Sequence, residues 1–329
     1  MNSLTLEEAK IALNSVATEQ DLVNILKTID VTVEDTLDNA KTLLYSGVGQ
    51  LSEEVVTDNN IRVLDNTPAA KLIQSFEFDD ALEIVYGSSE SPKANNFLYK
   101  TNGGAWDTIS ERFIQATTHH EVNTLIGDRA SPERTFFQTE LPAIKANANI
   151  THIDGIDKNL LFQELSNLEN DSHRLNYFKT NTYAREVVAK ALDMDNPLEL
   201  SSTKMQAFLN SDTPQAHAIS NQIDTHQIEL FTKAEVSNAT GIPNDEIKTF
   251  LSQESDSSKS VVDKIENHVK ELSEYNPHIK NFDVAAHGKY AIVGAVAGTI
   301  LGTQEADAWR LNITYQIIYL CYNNQKKIA

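Results

Sequence analysis

EVNTLIGDRASPERTFFQTE, residues Glu121 to Glu140, lies without a gap over EVSNATGIPNDEIKTFLSQE, residues Glu235 to Glu254. Glu121/Glu235, Val122/Val236, Gly127/Gly241, Thr135/Thr249, Phe136/Phe250 and Glu140/Glu254 coincide. The later copy, extended back to Thr232, reads as a helix-turn-helix unit. Gly241 takes the turn, and Val236, Ile242, Ile247 and Phe250 supply the inner apolar contacts. Each copy follows a threonine with an acid three residues on: Thr232 to Glu235, Thr118 to Glu121 and, in a looser third echo, Thr18 to Asp21. A threonine in that position accepts a free N–H at a helix start, and the acid reaches back to the threonine's own N–H.

Working outward, helical spacing recurs. Leu6, Ala9, Leu13 and Val16 mark one face near the start, and Val262, Ile265, Val269 and Leu272 mark another after the polar linker SQESDSSKS, 252–260. TNGGAW, 101–106, is a turn ahead of a helix, and TKMQAFL from Thr203 and TDNNIRVL from Thr57 read as further starts. Strand signals are sparse. The best is ALEIVYG, 81–87, which serves equally as a helical turn. Twelve glycines and eight prolines are few for 329 residues, which favours helices with short turns. The expected fold is mainly α, an irregular array of antiparallel helix pairs, because uneven spacing does not suit a regular solenoid. It divides into an N-terminal helical unit (1–100), a helix-pair repeat unit (101–255) and a C-terminal helical unit (256–329) ending in an apolar hairpin.

That hairpin comes from YAIVGAVAGTILGTQ, 290–304, and the Trp309–Tyr322 segment. Gly294, Gly298 and Gly302 recur every fourth residue and allow close helix approach, as in membrane helix pairs. The uncharged run is 15 residues long, and a spanning helix needs about 20. A buried helical hairpin is the expectation, with membrane contact through 290–322 as its alternative.

Charge excludes more than it identifies. With 27 Lys+Arg against 47 Asp+Glu the net charge is −20, a field that repels phosphate backbones. The helix-turn-helix segment holds Lys233 and Lys248 against Glu235, Asp245, Glu246 and Glu254. Phosphate contacts supply most non-specific DNA affinity, so no nucleic acid partner is expected, and a DNA-binding regulator is the weakest of three functions. One cysteine, Cys321, permits no internal disulfide and fits a reducing compartment. MNSLTLEEAKIAL lacks the basic, apolar character of a cleaved signal peptide. The expected location is the cytoplasm, or a host cell reached by secretion without such a peptide.

Candidate sites are few. Nine histidines include only the adjacent His119 and His120, expected in the first turn of a capped helix, and no metal-ligand spacing occurs. No cofactor motif is present, SGVGQ (46–50) being followed by no Gly-Lys-Ser/Thr, and no catalytic residue stands out. GDRASPERTFF, 127–137, concentrates Arg129 and Arg134 in a chain of seven arginines, with Arg112 upstream. Arginine's planar fork suits carboxylate or phosphate recognition, so these three are the candidate binding residues. Trp106, Phe136, Phe137 and Phe250 are interface anchors if exposed and core residues if buried.

An acidic, Asn/Thr/Leu/Ile-rich helical chain with one cysteine, degenerate helix pairs and a late apolar segment resembles helical secreted effectors of intracellular bacterial pathogens. The likeness covers the whole chain and rests on style, with no shared motif. It implies a polar, Glu-rich C-terminal export signal, from which the aromatic, apolar tail before NNQKKIA departs. The leading expectation is a non-enzymatic protein-interaction module, a bacterial effector that binds a host protein. The alternative is an enzyme whose site is assembled from distant residues.

Overall fold

The computed structural model describes residues 3–33, 40–48, 60–241, 246–251, 253 and 255–275. The expected hairpin at 290–322, its three glycines, Cys321 and the Thr57 start lie outside the described residues. The protein is mostly helical, and it also contains a five-stranded mixed sheet. The described residues form two compact units, one of residues 1–190 and 194–205, the other of 191–193 and 206 onward. Among them, no helix is long and apolar enough to cross a membrane.

Unit 1 opens with two capped helices, α1 (Leu6–Leu13) and α2 (Glu19–Thr28). The Thr18–Asp21 box forms as expected, and Ala9, Leu13 and Val16 are buried. Strand β1 (Lys41–Ser46) is central. Beyond β2 (Ile61–Arg62) come α3 (Pro68–Ile73), α4 (Phe76–Tyr86), α5 (Pro92–Tyr99) and α6 (Ala105–Gln115). ALEIVYG therefore belongs to α4, which Gly87 closes at φ 81°. Next stand β3 (Glu121–Ile126), a π turn (Phe136–Glu140), α7 (Leu141–Ala146), β4 (His152–Ile153) and β5 (Ile156–Asp157). Helices α8 (Lys158–Asn167), α9 (Asp171–Ala191) and α10 (Ser202–Leu209) follow.

The sheet order is β2-β1-β3-β4-β5, parallel except for the β4–β5 hairpin. β1 and β3 run in register from Thr42↔Val122 to Ser46↔Ile126. This corrects the reading of Glu121–Glu140 as a helix pair. Glu121 opens a strand, not a helix, because Val122, Asn123, Thr124 and Ile126 are all buried and β1 supplies the ladder beside them. His119 and His120 consequently lead into β3, where His119 Nδ1 accepts from Arg62 at 3.0 Å and His120 Nδ1 meets the Asn149 carbonyl at 3.0 Å.

β3 outruns its neighbour β4, which is only two residues long. Side chains complete that edge. The Thr124 N–H donates to Asp154 Oδ1 (2.8 Å), the Ile126 N–H donates to Thr182 Oγ1 (2.8 Å), and the Thr124 carbonyl accepts from Arg185 (3.1 Å). Arg185 also pairs with Asp154 at 2.6 Å, their side chains only 7% and 2% exposed. Asp154 stands at φ 53° and Gly155 at φ 76°, the paired positive values of a tight two-residue hairpin turn. Buried backbone groups that find no strand must find another partner, and α9 supplies two of the three here.

In unit 2, α11 (Pro214–Thr240), α12 (Ile247–Leu251) and α13 (Asp256–Tyr275) share a core of Val236, Ile247, Phe250, Leu251, Val261, Ile265 and Val269. Gly241 closes α11 at φ 66°, so the expected turn and the contacts of Val236, Ile247 and Phe250 are present. Thr232 is not a cap. It lies fully buried inside α11, whose cap is Thr213 ahead of Pro214.

Candidate active site at the carboxyl edge of the sheet

Parallel strands β2 and β3 flank β1 on opposite sides, so chain connections diverge at the carboxyl end of β1. Such a switch in strand order leaves a crevice where α/β proteins bind ligands. β1 and β3 each run directly into a glycine, Gly47 and Gly127. An added Cβ at Gly47 (φ 67°) would fall 1.9 Å from the Ala130 nitrogen, and one at Gly127 would fall 2.6 Å from the Gly47 oxygen. The backbones of the two loops touch, and only glycine allows that approach.

Beside this junction four elements bring polar side chains together. Tyr45, near the end of β1, donates its hydroxyl to Asp65 Oδ2 at 2.7 Å, and Asp65 sits in the 3-10 turn just after β2. Asp107 and Ser110 lie one turn apart on α6, both buried. Thr139 and Glu140 come from the π turn, and Thr139 donates to Asp107 Oδ1. Sequence explains that turn. Pro142 has no N–H to give to the Gln138 carbonyl, and its ring would collide with that oxygen. The helix widens instead, with the Leu141 N–H reaching back to Phe136.

Glu140 is the most buried carboxylate of this cluster after Asp107. It is 7% exposed, and its Oε2 has no hydrogen-bond partner among the described residues. Burial pushes its carboxyl up to about 7; the negative charges of Asp107 and Asp65 add to the rise, and a hydrogen bond with Ser110 opposes it. Burial also pushes the Tyr45 phenol up, helped by its bond to Asp65. A group titrating near neutrality, held by fixed neighbours, can both give and take a proton.

No family model, curated protein or solved structure matches this chain. The site therefore rests on its own geometry.

Arg129 and Arg134 are exposed in the loop between β3 and the π turn, at the same edge as Glu140. Arg112 is half-buried on α6, roughly opposite Asp107 and Ser110 on the helical wheel. Its guanidinium donates to the Leu26 carbonyl at 2.6 Å, and burial lowers its pKa against the pull of Asp30. The structure thus places Arg129 and Arg134 on one loop and Arg112 against α2. Phe136 and Phe250 are buried, while Trp106 and Phe137 are partly buried against the unit 1 core. Sequence reasoning passed over Tyr45, Asp65, Asp107, Ser110, Thr139 and Glu140. The one local signal was Pro142 two residues after a glutamate inside an apolar segment.

Proposed function

We propose that unit 1 is an enzyme domain that cleaves or transfers at a glycosidic bond of a nucleotide-type substrate, with Glu140 as its acid–base group. The observation that carries this reading is a buried carboxyl held near neutrality beside two acids, at the carboxyl edge of a parallel sheet where strand order switches. Carboxyl groups with contrasting protonation are the working parts of glycoside chemistry. Protonated Glu140 gives its proton to the leaving group as the bond to the anomeric carbon breaks. The negative charge of Asp65, fixed by Tyr45, stabilises the cationic sugar; water or the hydroxyl of a second acceptor then captures it and loses its proton to the Glu140 carboxylate, which restores the acid. The switch in strand order favours a nucleotide, and the exposed Arg129 and Arg134 offer planar forks suited to its phosphates.

The test is incubation of the full chain with a panel of nucleosides, nucleotides and dinucleotides, with base release followed by chromatography. At least one member is expected to turn over, and Glu140→Gln to reduce the rate by about 10²- to 10⁴-fold, the usual worth of a general acid. Full activity in the variant, or no release from any member, sinks the proposal.

A second reading keeps the protein-interaction role, for a different surface. Phe76 is 87% exposed at the first position of α4, and Ile11 and Ile84 are exposed too. The Lys10–Glu77 pair at 3.2 Å brings the Ile11 and Phe76 neighbourhoods together. Glu7, Glu8, Asp79, Asp80 and Glu83 surround them, so the matching partner is a basic, apolar protein segment. Phe76→Glu is expected to weaken binding to a synthetic Lys/Leu amphipathic helix at least tenfold by titration calorimetry, since large aromatics dominate such contacts. Equal binding by the variant counts against this surface.

A further inference from the structure

Asp107 does more in this site than add charge. Its two oxygens hold two different segments: Oδ2 accepts from the Gly103 N–H at 2.9 Å, in the loop before α6, and Oδ1 accepts from the Thr139 hydroxyl in the π turn. Asn102 and Gly103 both have positive φ (61° and 109°), so that loop is a tight, fixed turn. Thr139 immediately precedes Glu140 in a segment that Pro142 has already prevented from winding as an ordinary helix. Left alone, a π turn is a weak helical geometry, and a side chain buried beneath it depends on something else for its position.

We infer that Asp107 is a positioning residue for Glu140, clamping the π turn to α6 and to the loop that precedes it. This rests on the reading of Glu140 as the reacting group, and it adds how that group is held and how its proton is retained. The groups facing Glu140 are Asp107 and Ser110 from α6, Asp65 from the 3-10 turn and Tyr45 from β1. Asp107 alone among them also bonds the neighbour of Glu140 in the chain. The clamp and the charge therefore act through one side chain, which gives them opposite responses to two substitutions.

Asp107→Asn keeps the shape and an acceptor for Gly103, but removes the negative charge beside Glu140. Thr139→Val keeps every charge and withdraws a donor that offsets the charge of Asp107. Carbon-13 titration of the Glu140 carboxyl, assigned against Glu140→Gln, reads both effects without any substrate. The midpoint is expected to fall by roughly one pH unit in Asp107→Asn and to rise in Thr139→Val. The basic limit of any base-release activity is expected to move the same way. A midpoint that stays put in Asp107→Asn, or falls in Thr139→Val, overturns the inference. Should Asp107→Asn fail to fold, Thr139→Val decides the matter by direction alone. The outcomes separate cleanly. Shifted midpoints with no base release remove the proposed reaction and leave the clamp standing, while base release with unshifted midpoints does the reverse.

Discussion

Glu140→Gln is expected to make the protein more stable at pH 8 than its parent, while cutting the activity proposed for it by about 10²- to 10⁴-fold. The Glu140 carboxyl in the folded protein sits at about 7, raised from 4.5 chiefly by burial. Between those values the folded chain holds a proton that the unfolded chain has lost, so stability falls as pH rises through that window. Below about 4.5 both states are protonated and the favourable contribution is fully present. Above about 7 both are ionised, and the folded state bears the full strain of a charge buried beside Asp107 and Asp65. Glutamine matches the shape and has no such dependence. The stability difference between variant and parent should therefore grow by roughly 1–3 kcal/mol in the variant's favour from pH 5 to pH 8. Urea unfolding at the two pH values measures it. A difference that is the same at both would mean that Glu140 is not held in the state described. A residue that destabilises the fold above neutral pH is what the proposed acid–base role would require.

The second large effect lies across the sheet. Arg185→Met is expected to lower stability by about 3–5 kcal/mol, because it leaves the Asp154 carboxylate buried without its cation and strips a donor from the Thr124 carbonyl. Against the 5–15 kcal/mol typical of a whole domain, that loss is a large share. Asp154→Asn added to the same chain should recover part of it, since the stranded charge is then gone; the two changes are coupled and not additive. Denaturant midpoints of the parent, the two single variants and the double variant test this directly. A loss below about 1 kcal/mol for Arg185→Met would show that water reaches the pair and that the edge of β3 is held by other means.

The helices of this protein were legible and its sheet was not, for reasons that particular residues make plain. The Thr18–Asp21 capping box, the apolar face of α1, the Gly241 turn and the α13 stripe all carry local signals that their neighbours do not contradict. KTLLYS and EVNTLI hide because parallel strands are buried on both faces and do not alternate. Their Thr42, Asn123 and Thr124 also interrupt the apolar run that would otherwise reveal them. β2, β4 and β5 have two residues each, too few for any period. One strand signal was legible and overlooked: Ile153-Asp154-Gly155-Ile156 is an Asp-Gly turn between apolar residues, the sequence form of a two-residue hairpin. The match between Glu121–Glu140 and Glu235–Glu254 misled because six coincidences of residue type say nothing about burial. The same Glu-Val pair begins a strand in one place and lies buried inside a long helix in the other. Glu140, Asp107, Asp65 and Tyr45 were beyond local reading altogether, because only the fold brings residues so far apart in sequence to one place.

The side-chain edge of β3 has a further consequence, for the chain as it is made. Thr124 and Ile126 wait for Thr182 and Arg185, which follow 56 to 61 residues later. A nascent or truncated chain that ends before α9 exposes unsatisfied N–H and C=O groups along its central strand pair, the kind of template on which other strands add. The last long helix of unit 1 is thus also its safeguard against misassembly: fragments ending near residue 170 should aggregate, and fragments that reach beyond residue 205 should not.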